Sequence, residues 1–170
     1  FTNGLKFGNV VGSSFVCTDK VVAERLPSMA TVLTSELHAI HLALQHIQST
    51  PHYCAVVYVN SLSPLEALCS AVCWEHPMVC ATRRLLRLLS SSGFLVQFCW
   101  VPGHVGIRGN DLADVAAKSV SSLGVTRHPL FFRDFYSIIC LFVRQAWQSQ
   151  WDAQVSNKLH RLKPSVGLWQ

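Results

Sequence analysis

Side chains able to do chemistry crowd into residues 94–118. Phe94 to Trp100 is a short apolar run between Gly93 and Pro102-Gly103, the pattern of a buried strand. Gly103 to Gly109 follows as a glycine-flanked loop carrying His104. Asn110 has the side chain of a helix cap. The helix it opens runs to about Val120, with Asp111 and Asp114 in its first turn and Leu112, Val115 and Ala116 as its apolar face. A strand thus delivers an imidazole on a glycine loop, and a carboxylate follows on the next helix. That arrangement suits metal-assisted chemistry more than packing.

Two other groups have reactive types. Cys69, Cys73, His76 and Cys80 offer ligands that zinc accepts, but their spacing is unlike the usual knuckles, and Cys69 and Cys73 are i, i+4 on one helix. Arg83, Arg84 and Arg87 lie on one flank of a helix opened by Pro77; phosphate contact and a solvated helix face both remain open there.

The elements that must position these groups follow in order. Phe1 to Lys6 reads as a strand end and turn. Val10 to Thr18 and Lys20 to Leu26 read as two strands of a hairpin turning at Asp19-Lys20. Thr34 or a neighbour caps a helix whose buried face is Leu33, Leu37, Ile40, Leu44 and Ile47, and Pro51 ends it. Cys54 to Val59 is a continuous apolar run, as in a strand covered on both faces. Ser63-Pro64 opens a short helix through about Val72, and Pro77 opens another through Ser90. The order β-β-β-α-β-α-α-β-α implies an α/β fold with a mixed sheet and packed helices. Gly124 to Pro129 reads as a linker, Phe131 to about Gln154 as a further helix, and Lys158 to Gln170 as irregular.

Half of the 170 residues are hydrophobic and 14% are charged, which excludes disorder and supports a substantial core. A net charge of +5 suits a polyanionic partner. No apolar run approaches the ~20 residues of a membrane helix. The seven cysteines, with Cys54, Cys99 and Cys140 inside hydrophobic runs, read as buried thiols of an intracellular, non-secreted protein. Trp100 is expected in the core. The chain starts at Phe1, inside an apparent motif, as a fragment or excised domain would.

The run Trp100-Val-Pro-Gly-His104-Val-Gly-Ile-Arg-Gly-Asn-Asp-Leu-Ala-Asp114-Val-Ala-Ala-Lys118 resembles the last motif of type 1 ribonuclease H domains, closest to those of non-LTR (LINE-type) retrotransposon polyproteins. Thr34-Ser-Glu36-Leu-His-Ala-Ile40 is similar to that family's first-helix motif. Phe1-Thr-Asn3-Gly-Leu5-Lys6 and Tyr58-Val-Asn60-Ser61 are similar to its first- and fourth-strand motifs. The resemblance covers roughly residues 1–122 and leaves 123–170 as linker and helical tail. It implies a ribonuclease H-like fold: a five-stranded mixed sheet with helices on both faces. It implies hydrolysis of the RNA strand of RNA–DNA hybrids with two Mg²⁺ ions, and a reverse transcriptase in the same polyprotein as partner. The metal positions would be Asn3, Glu36, Asn60 and Asp114, with His104 assisting at the rim. Ser61, Arg83, Arg84 and Arg87 would meet the nucleic acid. Without the resemblance, Glu36 reads equally well as the N-terminal acid of a helix-capping motif, and Asp111 as a helix N-terminal charge.

The departures are specific. Asn3 and Asn60 stand where the family has aspartates, and Leu5 where it has serine. One charge against Mg²⁺ at ~4 Å contributes on the order of 8 kcal/mol at an effective dielectric of 20, before desolvation offsets much of it. Millimolar binding corresponds to only about 4 kcal/mol. Losing two charges therefore predicts an impaired metal site, the pattern of a decaying retrotransposon copy. The alternatives are a catalytically dead nucleic-acid-binding or scaffolding domain, and a small zinc module around Cys69–Cys80.

Overall fold

A computed structural model describes residues 1–70 and 76–167. Two compact units divide it, Phe1–Phe131 and Phe132–Gln170. The first holds strands β1 (Thr2–Phe7), β2 (Val10–Val16), β3 (Val21–Leu26), β4 (Cys54–Val59) and β5 (Leu95–Trp100). Its helices are α1 (Val32–Gln48), α2 (Leu62–Cys69), α3 (Pro77–Ser91) and α4 (Arg108–Lys118). The strands make one sheet in the order β3-β2-β1-β4-β5. β1, β2 and β3 pair antiparallel, while β4 lies parallel to both β1 and β5. The fold is α/β with a mixed five-stranded sheet, in the element order the sequence implies.

Helices cover both faces. Leu37, Ile40 and Leu44 of α1 are fully buried, with Leu33 and Ile47 partly so, which is the predicted face. Ile40, Leu44 and Ile47 join Phe15, Val57, Val59, Leu85 and Leu89 in the main core, while Leu33 and Leu37 pack with Met78 and Val79. Thr31, not Thr34, caps α1: its side chain accepts from the Thr34 N–H. His38, on the same helix, meets Glu24 at 3.0 Å. Burial and the neighbouring His128 and His41 push its pKa down to about 3, so the contact is a neutral imidazole beside a carboxylate and not an ion pair.

α4 packs on the opposite face through small residues. An ideal Cβ at Gly12 would sit 2.0 Å from the Ala117 carbonyl oxygen, so β2 and α4 touch backbone to backbone. Two residues along β2, the Ser14 hydroxyl donates to the Ala113 carbonyl at 2.6 Å. Residues two apart on a strand and four apart on a helix advance by similar distances, so the two elements lie locked along their length. The buried face of α4 is therefore Asn110, Ala113, Ala116 and Ala117. Of the apolar face expected from sequence, only Ala116 belongs to it, and Leu112 and Val115 are exposed. The helix also starts two residues before Asn110, with Ile107 at its cap position, so Asn110 is not the cap. Gly12→Ala should cost at least ~2 kcal/mol, because the contact is backbone and cannot yield by a rotamer change; a urea midpoint reads it directly.

Other expectations shift. β4 and β5 are not covered on both faces: Cys54, Val56, Leu95, Cys99 and Trp100 are exposed, so Trp100 is not a core residue. Cys140 is also exposed, and the thiols are not the buried set the composition suggests. α2 ends at Cys69, and the expected extension to Val72 lies outside the described residues. The linker segment is tied down. Val125 bridges to Arg25, whose guanidinium also meets the Ser121 and Leu123 carbonyls; the His128 ring lies tilted against His38, and Leu130 packs beside Val11, Leu26 and Ala30.

The second unit contains a 3-10 turn (Phe132–Phe135), α5 (Tyr136–Asp152) and α6 (Lys158–Leu162). Residues from Lys158 are thus not wholly irregular. Asn157 caps α6, and the returning chain is pinned where Trp151 Nε1 and Gln148 Nε2 donate to the Lys163 and Pro164 carbonyls. No described helix is long and apolar enough to cross a membrane.

Candidate active site

β1 and β4 share one pair, Thr2 with Val59. Beyond it the strands part: β1 continues beside β2, and β4 ends. The next residue on each chain is an amide, Asn3 and Asn60. The register thus sets the two side by side where parallel strands diverge, the usual place for a crevice in an α/β sheet.

The amides are wired together. Asn3 Nδ2 donates to Asp114 Oδ1 at 3.0 Å, and Asn60 Nδ2 donates to Asn3 Oδ1 at 3.1 Å. A carboxylate accepts only, so Asp114 fixes which way Asn3 faces, and Asn3 in turn fixes Asn60. One turn along α4, Lys118 Nζ pairs with the other carboxylate oxygen, Asp114 Oδ2. The result is a chain, Asn60 to Asn3 to Asp114 to Lys118, in which each oxygen of the carboxylate meets one donor. Leu5, His104, Asp114 and Lys118 line one open cavity. His104 stands exposed on its loop with φ 58, a left-handed conformation that costs a non-glycine residue on the order of 1 kcal/mol or more.

Glu36 reaches the same strand from the other helix. An ideal Cβ at Gly4 would lie 2.3 Å from the Glu36 nitrogen, so only glycine lets α1 come this close to β1. The Glu36 carboxyl accepts from the Gly4 N–H, its Oε2 is buried without a partner, and the residue is 4% exposed. Burial pushes its pKa up to about 8, against the weaker opposing pull of that hydrogen bond. It is five positions past the cap, and it does not form a capping box.

Two divalent cations need several ionised oxygens. Here two positions are amides, burial raises the Glu36 pKa to about 8, and Asp114, the remaining carboxylate of the four, is already engaged by an ammonium and an amide N–H. Asn60 Oδ1 and Glu36 Oε2 are buried oxygens without partners; the first is an amide oxygen, and the second would have to lose its proton to ligate a cation. The residues present do not fit a two-metal cluster.

The family model for RNase H matches residues 3–122. The chain belongs to the ribonuclease H family. No curated protein matches the chain at a significant level. Membership brings an RNA–DNA hybrid ribonuclease-type function, a nucleic-acid substrate and, for the family in general, a divalent metal. The mixed sheet and its flanking helices are those of a ribonuclease H-like fold.

Within this ribonuclease H domain the remaining expected contacts divide. Ser61 is half-buried at the cap position of α2 and makes no side-chain capping bond. Arg83 spends its guanidinium on the carbonyls of Ala67, Leu68 and Ser70 at the end of α2, while Arg84 and Arg87 are exposed. Asp111 is exposed in the first turn of α4. Among the described residues no zinc grouping assembles around His76: its Nδ1 accepts from the Met78 N–H and its Nε2 meets the Thr34 hydroxyl. Cys69 and Cys80 are exposed, and Cys73 lies outside the described residues. Sequence reading missed Lys118, although its i, i+4 spacing from Asp114 was the signal that could have found it.

Proposed function

We propose that this domain is a ribonuclease H module of a non-LTR retrotransposon-type polyprotein, working inside the cell beside a reverse transcriptase, and that its hybrid-cleaving activity is impaired. The family reaction is hydrolysis of the RNA strand of an RNA–DNA hybrid by two metal ions, with Asn3, Glu36, Asn60 and Asp114 in the metal positions and His104 at the rim. One observation carries the impairment: in the hydrogen-bonded chain from Asn60 to Lys118, two metal positions are amides and both oxygens of Asp114 are engaged by an amide N–H and an ammonium. A reducing compartment suits the exposed thiols.

The same observation favours a second reading, a domain that binds hybrids without cutting them. Backbone and 2′-hydroxyl recognition of a duplex does not need the metal charge, and the +5 net charge favours phosphate contact. A labelled RNA–DNA hybrid tests both at once. The expected result is a salt-sensitive gel shift with little or no RNA cleavage in millimolar Mg²⁺. Rapid, chelator-sensitive cleavage would refute the impairment; no hybrid binding at low salt would refute both readings.

A further inference from the structure

Away from the amide–carboxylate site, the fold gathers a thiol, a carboxylate and an imidazole. Cys17 follows β2, Asp19 lies in the turn to β3, and His46 is in the last turn of α1. Cys17 Sγ is 3.3 Å from Asp19 Oδ1 and 3.4 Å from His46 Nε2, and the three ligand atoms all lie within 4.8 Å of one another. We propose that Cys17, Asp19 and His46 form a zinc-type metal site that clamps the β2–β3 hairpin to the C-terminus of α1, with the fourth position open to solvent.

The geometry suits such an ion. Tetrahedral bonds of ~2.3 Å to sulfur and ~2.0–2.1 Å to nitrogen or oxygen put neighbouring ligand atoms ~3.5 Å apart. Both measured sulfur separations lie within a few tenths of an ångström of that edge. A thiolate with an imidazole selects zinc-like metals over magnesium, so this ion would differ from the one the ribonuclease site would use. The C-terminal end of a helix carries partial negative charge, which favours a cation beside His46. Coordination takes the thiolate, and the thiol proton leaves to solvent.

A nucleophilic cysteine is the rival use of these residue types. It needs a carboxylate behind the imidazole, orienting the ring toward the sulfur. Here Asp19 contacts the sulfur itself, and His46 Nδ1 is buried with no partner. The three groups converge on a point between them and do not line up as a relay.

The test is a titration of the full, reduced chain with Co²⁺, followed by displacement with Zn²⁺. One equivalent of Co²⁺ should produce a thiolate-to-cobalt charge-transfer band with the d–d bands of a tetrahedral site, and Zn²⁺ should bleach both. Cys17→Ser should abolish the charge-transfer band, and Cys99→Ser should leave it intact. Asp19 is exposed, so Asp19→Asn should fold normally and weaken Co²⁺ binding at least ~10-fold; it keeps the test decisive if Cys17→Ser fails to fold. No one-equivalent band, a band surviving in Cys17→Ser, or unchanged affinity in Asp19→Asn would overturn the proposed ligand set.

Discussion

Replacing both amides together, Asn3→Asp with Asn60→Asp, should create Mg²⁺-dependent cleavage of the RNA strand of a hybrid, while either single change gives little. The gain over the parent should be at least on the order of 10³-fold, the scale on which members of one catalytic unit act, and strongly non-additive. Asn3 Nδ2 lies 3.0 Å from Asp114 Oδ1. An aspartate there would set two carboxylates in contact, and without a cation they repel. The double variant should therefore be less stable than the parent in EDTA and regain stability as Mg²⁺ is added, a readout independent of activity. Lys118 is the residue most able to mask the effect, since it already neutralises Asp114. Lys118→Ala in the doubly restored background should lower the Mg²⁺ concentration needed. His104→Ala should slow the restored enzyme without abolishing it, because His104 lines the cavity beside Asp114 but is not one of the four metal positions. A double variant that binds the hybrid and stays as inactive as the parent, with and without Lys118, would make the binding-only reading the better one.

Glu36→Gln should stabilise the protein at alkaline pH. The Glu36 pKa is about 8 in the folded state, raised by burial from 4.5. The folded state holds a proton that the unfolded chain releases above 4.5. Stability from this group is thus complete below pH 4.5, falls as pH rises, and stops falling above about 8. A shift of this size corresponds to roughly 5 kcal/mol across the window. Glutamine keeps the shape and still accepts from the Gly4 N–H, but has nothing to ionise. The difference in unfolding free energy, variant minus parent in EDTA, should grow by a few kcal/mol between pH 5 and pH 8 and level off beyond. A difference that does not change with pH would show that Glu36 is ionised in the folded state and that the site carries more negative charge than described here.

The meeting of Asn3 with Asn60 was legible only through the family's motif order, because the strand pairing that sets them side by side joins distant parts of the chain. The amide follows Thr2 on one strand and Val59 on the other, and those two residues pair. The α1 face was legible because Leu37, Ile40 and Leu44 repeat at helical spacing and fill the core. The face of α4 was misread because large apolar residues attract attention in a pattern. Contact with β2 at Gly12 leaves room only for alanines, so Leu112 and Val115 turn outward. β5 was misread as buried for a related reason: it is an edge strand, and apolar residues on an edge are not thereby covered. The Cys17–Asp19–His46 grouping joins a hairpin to a helix end almost thirty residues away, and no spacing rule connects them.

Mg²⁺ binding to the unmodified chain tests the neutralised site most directly. Calorimetric titration at pH 7 and low salt should show no saturable site below millimolar Mg²⁺, because two of the four positions are amides, burial raises the Glu36 pKa, and Lys118 is paired with Asp114. Two equivalents bound below millimolar Mg²⁺ would contradict the account.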